Sequence, residues 1–210
     1  IQSIFDALDG FAGQTLVNLE VRAAGTTDVV IGPVAEVAVP ASGNWTVVAH
    51  LDADGAPTVT PFENNVDATA DGQGRLTVRH TAAAPAVDLV VGDTRPIENA
   101  ANGASAELEL PAGEIAGAKL APTGADPIVD VPTVTLKAGT NLIVYAVGSL
   151  ADDTFTFLTQ EIAVGGASAA PTAVNTGDAI TDGTNVALLA GVYLLVLIAA
   201  ADIGAYVGGR

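Results

Sequence analysis

The stretch Gly25–His50, GTTDVVIGPVAEVAVPASGNWTVVAH, recurs about 100 residues later as Gly124–Val147, GADPIVDVPTVTLKAGTNLIVYAV. Each copy begins with a glycine and an Asp-containing turn, continues through apolar residues and a proline, and ends on a strand that contains Asn. A period of about 100 residues is the size of an immunoglobulin-like sandwich. The repeat therefore predicts two tandem units, and it equates Pro33 with Pro132, Gly43 with Gly139, Asn44 with Asn141 and Ala49 with Ala146.

Short alternating segments separated by turn residues indicate an all-β fold. Turns are expected at Asp54-Gly55, Asp71-Gly72 and Ala138-Gly139. We predict two immunoglobulin-like sandwiches, at 1–73 and 74–164, and a flexible linker of small residues at 165–185. The first unit is expected to be N-terminally incomplete and to leave an open sheet edge. The predicted strands are Leu16–Ala23, Val34–Val39, Asn44–Leu51, Arg75–His80, Ala106–Leu110, Thr133–Lys137 and Leu142–Val147.

The C-terminal segment is the most hydrophobic part of the chain. Val186–Ala201 reads VALLAGVYLLVLIAAA and carries no charge. Because about 20 apolar residues span a bilayer as a helix, the sequence predicts a transmembrane helix over 186–209. Acidic residues precede this segment and Arg210 follows it, which favours an N-out, C-in orientation in the cell membrane. The residues expected to pack this helix against a partner are Gly191, Tyr193, Asp202 and Gly204.

Composition restricts the classes of function. The 210 residues include 24 acidic and 7 basic ones, and the net charge is −17, which disfavours nucleic acid as a partner. There is no cysteine, which excludes disulfides, thiol catalysis, zinc–thiolate sites and iron–sulfur clusters. The first residue is not Met, and a cleaved export signal is expected.

One segment carries a family resemblance. Arg75–Val91, RLTVRHTAAAPAVDLVV, resembles the hallmark VRxxHxxPxAPAVDVxV of the domain-of-unknown-function family numbered 4397. The resemblance covers about 16–164, fits the actinobacterial tandem arrangement best, and implies secreted or surface β-sandwich domains without implying an activity. The first unit departs from the family because it lacks its own hallmark segment. The hallmark positions are held by Arg79, His80, Pro85 and Asp88.

Few residues are candidates for catalysis or metal binding. His50 and His80 are the only histidines, and we interpret both as structural because no metal-ligand spacing surrounds them. Asp52-Ala-Asp54-Gly55 is similar to the start of a calcium loop but lacks its later ligands, so a hairpin turn is the preferred interpretation. No nucleophile elbow, catalytic triad or phosphate loop is present. We therefore expect a protein without enzymatic activity, cofactor or metal.

The leading functional prediction is a membrane-anchored extracytoplasmic subunit with an accessory or structural role in a membrane-associated assembly. Its partners are expected to be other membrane subunits, bound through the C-terminal helix, and membrane lipid. An alternative is an adhesive or filament-forming surface module, in which self-association by strand exchange fills the open edge and packs the apolar tail between subunits. Another alternative is an uncharacterised surface ligand-binding protein. An enzymatic interpretation requires a deep pocket with two converging carboxylates.

Overall fold

The computed structural model describes residues 2–6, 13–22, 27, 29–165, 171–175 and 193–199. Within these residues the chain forms β-strands and no helix, which confirms the predicted all-β class. The strands are β1 (Gln2–Asp6), β2 (Thr15–Arg22), β3 (Val29–Ala38), β4 (Asn44–Leu51), β5 (Pro57–Glu63), β6 (Gln73–Ala83), β7 (Val87–Val91), β8 (Thr94–Ala100), β9 (Ser105–Pro111), β10 (Gly113–Ile115), β11 (Ala118–Pro122), β12 (Val129–Asp130), β13 (Val134–Leu136), β14 (Thr140–Ser149), β15 (Thr156–Ala163), β16 (Pro171–Asn175) and β17 (Tyr193–Ala199).

The strands assemble into three larger sheets and two strand pairs. Sheet A has the order β1-β17-β4-β5, and sheet B consists of β2 and β3. Sheet C has the order β16-β15-β14-β6-β9, sheet D has the order β12-β11-β7-β8, and sheet E consists of β10 and β13. Most neighbours are antiparallel, but β6 runs parallel to β14, and β17 runs parallel to β4.

Sheet C is covered on both faces by other sheets. Along β14, Ile143, Tyr145 and Val147 point towards a core that also contains Val48 of β4 and Phe62 of β5. The alternate residues Leu142, Val144 and Ala146 belong to the cores on the opposite face, with side chains from sheets D and E. Since both faces of β14 are buried, its sequence is a continuous run of mainly apolar residues, without alternation of apolar and polar residues.

The hairpin between β4 and β5 shows how local chemistry forms a turn. One carboxylate oxygen of Asp52, Oδ1, accepts hydrogen bonds from the backbone N–H groups of Asp54 and Ala56, at 2.9 and 2.8 Å. Gly55 supplies the positive φ of 86° that the turn requires. The carboxylate that resembled the first ligand of a calcium loop therefore stabilises a hairpin turn.

Part of the predicted linker at 165–185 is a strand. Pro171–Asn175 form β16, which pairs antiparallel with β15 at the edge of sheet C. The β-branched residues Thr172 and Val174 suit an edge strand. The predicted linker thus contains a strand of five residues, and 166–170 and 176–185 lie outside the described residues.

The predicted helix over 186–209 also differs from the structure where the structure describes it. Tyr193–Ala199 form β17, the strand between β1 and β4, so the structure does not confirm a helix for these seven residues. A short apolar run fits a fully buried strand as well as a helix, and periodicity alone does not distinguish the two. Among the described residues, no helix has the length and hydrophobicity needed to cross a membrane. Gly191, Asp202 and Gly204 lie outside the described residues.

A glycine at the end of β14 provides a test of the turn into β15. Gly148 has a φ of +85°, and a Cβ there would collide with the backbone carbonyl of Thr154. Gly139 has a similar φ of +69° but open space around it. We expect Gly139→Ala to lower the free energy of unfolding by about 1–2 kcal/mol through backbone strain alone. Gly148→Ala should lower it by about 1–3 kcal/mol more, because the clash adds to the strain.

Urea unfolding monitored by circular dichroism measures both variants. Equal losses for Gly148→Ala and Gly139→Ala would contradict the close approach of Thr154 to Gly148.

Candidate functional site

The hallmark segment begins in sheet C and ends in sheet D. It begins in β6, which pairs in parallel with β14 on one side and antiparallel with β9 on the other. It then turns through Pro85 and continues as β7 of sheet D. The segment thus joins two sheets, and its polar residues lie where the sheets meet.

Arg79 is fully buried, and its guanidinium makes four hydrogen bonds. Nη1 donates to the hydroxyl of Tyr145 at 2.8 Å. Nη2 donates to Oδ1 of Asn64 at 2.7 Å and to the carbonyl of Glu63 at 3.1 Å, and Nε donates to the hydroxyl of Ser105 at 3.4 Å. These partners belong to β5, β9, β14 and the segment after β5. One side chain therefore connects sheet C to sheet A.

Two aromatic rings flank the same guanidinium. Its central carbon lies 4.5 Å from the ring centroid of Phe62 and 5.4 Å from that of Tyr145. Both distances lie within the range of cation–π attraction. Burial lowers the pKa of Arg79, opposed by Tyr145, yet arginine remains charged in proteins. Burial likewise raises the pKa of the Tyr145 hydroxyl, which stays neutral and donates to Oε1 of Gln160 at 2.6 Å.

The network extends from Arg79 to the strand β4 of sheet A. Nδ2 of Asn64 donates to Oδ1 of Asn44 at 2.7 Å and to the hydroxyl of Thr46 at 2.9 Å. Asn44, Thr46, Asn64 and Gln160 are all at most 5% exposed. The sequence did not single out Thr46, Asn64 or Gln160 as partners of the hallmark. The available signal was Thr46, a polar residue inside the otherwise apolar strand β4.

His80 and Pro85 close the corner between β6 and β7. The ring atom Nε2 of His80 lies 3.0 Å from the carbonyl oxygen of Pro85 and donates to it when protonated. Burial lowers the pKa of His80, so the neutral ring is favoured. His50 is a second buried histidine, and burial lowers its pKa as well. Its Nδ1 lies 2.8 Å from the Leu51 carbonyl and its Nε2 lies 2.8 Å from the Thr60 hydroxyl.

Asp88 is the carboxylate of the hallmark, and its side chain is 3% exposed. Oδ1 accepts the backbone N–H of Asn99 at 2.8 Å, and Oδ2 accepts that of Gly124 at 3.0 Å. Arg95 donates to Oδ2 at 2.7 Å. These two backbone donors, followed by Arg95, hold the pKa of Asp88 below its ordinary value. The carboxylate thereby ties β8 and the turn after β11 to β7.

An apolar cavity of about 290 Å³ lies between sheets C and D. Leu76, Leu89, Ile97 and Phe157 are among its lining residues, and no carboxylate lines it. It therefore lacks the pair of acids that the enzymatic interpretation requires. Within the described part of the chain, no group of three or more His, Asp or Glu residues is placed to hold a metal ion.

These observations define the class of the protein: an all-β, multi-sheet protein whose hallmark side chains hold its sheets together. Residues 5–90 match the family model described as domain of unknown function (DUF4397), which confirms the predicted resemblance within this segment. The match runs from β1 to β7 and includes Arg79, His80, Pro85 and Asp88. No curated protein and no solved structure matches the chain.

Replacing Arg79 tests the network between sheets A and C. Arg79→Met keeps most of the side-chain volume but leaves buried acceptors on Asn64 and Glu63 without their donor. We expect a loss of about 2–4 kcal/mol in the free energy of unfolding. Lys119→Met is the matched control, because Lys119 pairs with Asp130 at an exposed site and should change stability by less than about 0.5 kcal/mol. Chemical denaturation of both variants makes the comparison, and similar values for the two would contradict a structural role for Arg79.

Asp88→Asn tests the buried carboxylate through pH. Because the pKa of Asp88 is depressed in the folded state, its charge stabilises the fold above its unfolded pKa of about 3.9, and this contribution is lost as pH falls through the folded pKa. The variant should be less stable than the parent at pH 7, and the difference should shrink below about pH 4. Urea unfolding at pH 7, 5 and 3 measures it. A difference that is independent of pH would contradict the assignment.

Proposed function

We propose that this chain is a non-enzymatic structural subunit of an assembly on the outer side of the cell membrane. The proposal rests on the observation that two polar hallmark residues are buried and hydrogen-bonded within the fold. Arg79 and Asp88 are buried, and their hydrogen bonds go to other parts of the fold. Side chains bound in this way hold sheets together and offer no free group to a substrate.

The surface charge supports an extracytoplasmic setting. A net charge of −17 keeps separate copies soluble and disfavours nucleic acid. The family resemblance points in the same direction, because it implies secreted or surface β-sandwich domains. In the proposed organisation, sheets A and B form one immunoglobulin-like unit and sheets C, D and E form the other.

The C-terminal segment favours two forms of this function. In one, residues 186–209 anchor an accessory subunit in the membrane with its N-terminus outside, and the sixteen uncharged residues 186–201 favour this form. In the other, the segment joins a sheet, as β17 does beside β4 within the chain, and the same pairing made with a neighbouring subunit serves assembly. Both forms make the apolar tail the part of the chain that contacts a partner.

Isolation of the protein from its source cells tests the proposed function. We expect it in the cell-envelope fraction, in particles much larger than the 20.8 kDa chain. Mass spectrometry of particles purified in mild detergent distinguishes the two forms, since other subunits in fixed stoichiometry indicate an accessory subunit and this chain alone indicates a homopolymer. Recovery as a cytoplasmic monomer would overturn the proposal.

A further inference from the structure

Strand β17 occupies in sheet A the position that the hallmark strand β6 occupies in sheet C. In sheet C, Leu76 of β6 pairs in parallel with Leu142 of β14. In sheet A, Leu194 of β17 pairs in parallel with Trp45 of β4. Trp45 and Leu142 each follow the equivalent asparagine of the internal repeat, Asn44 or Asn141. The two strands therefore agree in direction, neighbour and register.

The outer neighbour agrees as well. Sheet C places β9 antiparallel to β6 on the side away from β14, and sheet A places β1 antiparallel to β17 on the side away from β4. The position is thus a slot with a strand on each side. Backbone N–H and C=O groups along both walls need partners, so the slot requires an occupant.

The sequence of the tail fits this slot. The register places Leu194 where sheet C has Leu76 and Val196 where it has Val78. When the same offset between the two sequences is continued, Ala200 aligns with Ala82 and Ala201 aligns with Ala83. The polar hallmark residues Arg79 and His80 are replaced by Leu197 and Ile198. The tail is an apolar copy of the hallmark strand.

We propose that, in the assembled protein, β17 of one copy inserts between β1 and β4 of a second copy. This inference rests on the proposed function, since it names the contact through which the subunits assemble. The same backbone pairs form whether the strand comes from its own chain or from a neighbour, so exchange loses none of them. Residues 176–192 separate β16 from β17 and reach about 60 Å when extended, which allows insertion into a neighbouring copy.

The geometry of the exchange predicts an assembly of two or more copies. Each copy carries the donor strand β17 at one end of its sequence and the acceptor strand β4 near the other. Donor and acceptor are different surfaces, so the exchange takes one of two forms. A reciprocal exchange closes a dimer, and a head-to-tail exchange leaves a free slot and a free strand at the two ends of a filament. Neither β17 nor β4 contains an Asp, Glu, Lys or Arg residue, which suits contact between copies of a chain whose net charge is −17.

Cysteine pairing between two different variants tests the exchange. The chain has no cysteine, so one variant carries Val47→Cys on β4 and the other carries Val196→Cys on β17 with an affinity tag. Val47 and Val196 pair in the structure, and neighbouring strands lie about 4.8 Å apart, within the range that a disulfide spans. The two full-length variants are mixed, unfolded, refolded together and oxidised. We expect a covalent heterodimer of twice the 20.8 kDa mass.

The matched control replaces Val47→Cys by Leu51→Cys. Leu51 lies four residues beyond Val47 on β4, about 13 Å along the strand, which is too far for a disulfide with residue 196. We expect roughly tenfold less heterodimer from this pair. The pair Ala49→Cys and Ile198→Cys has the same register and repeats the experiment if Val47→Cys fails to fold.

Each outcome decides the proposal. A heterodimer that forms with both in-register pairs and not with the control supports strand donation. A further variant carries both Val47→Cys and Val196→Cys in one chain. Cross-linking only within that chain overturns the proposal, as does the absence of cross-linking in every combination. Envelope particles without in-register cross-links would leave the proposed function standing and reject the exchange. In-register cross-links in a protein recovered from cells as a cytoplasmic monomer would support strand exchange and reject the proposed function.

Discussion

The rest of the structure depends on a charged side chain held between two sheets. A buried guanidinium is tolerated only where most of its donors find acceptors, and Arg79 meets this condition through Tyr145, Asn64, Glu63 and Ser105. These acceptors come from elements distant in sequence, so each must be in place for the others to be satisfied. The requirement aligns β4 and β5 with β14 and β15 and joins the two repeats through one core.

Sheet C shows what this arrangement demands of its strands. Each face of β14 packs against a different sheet, so a polar residue there needs a partner inside the protein. Tyr145 finds that partner in Gln160, and Asn141 accepts the hydroxyl of Thr77. The strand β6 supplies both Thr77 and Arg79, so in this chain it mixes apolar residues with polar ones that have partners inside the protein. In the slot of sheet A, the strand β17 takes the corresponding position with an apolar sequence.

The features that could be predicted from the sequence are those set by interactions between residues close together in the chain. The alternating segments, the turn at Asp52–Gly55 and the recurrence of Asn44 as Asn141 are local or periodic signals, and they were sufficient for the all-β class. The hallmark was recognised from Arg79, His80, Pro85 and Asp88, but their partners were not. Asn64 and Gln160 lie 15 and 81 residues from Arg79, and no local pattern links residues at such separations. The apolar run around Val196 was assigned to a helix because its hydrophobicity fits more than one buried environment.

The sequence by itself determined the strand class, the repeat and the family segment, because alternation, turn residues and spacing act between near neighbours along the chain. Only the tertiary structure decided that the two repeats share a core through Arg79, that residues 171–175 extend sheet C, and that Tyr193–Ala199 lie in sheet A. These features depend on which surfaces and backbone edges remain unpaired once the other strands are placed. An apolar segment pairs with a strand edge whose backbone N–H and C=O groups lack partners, and such an edge exists only once the other strands have folded.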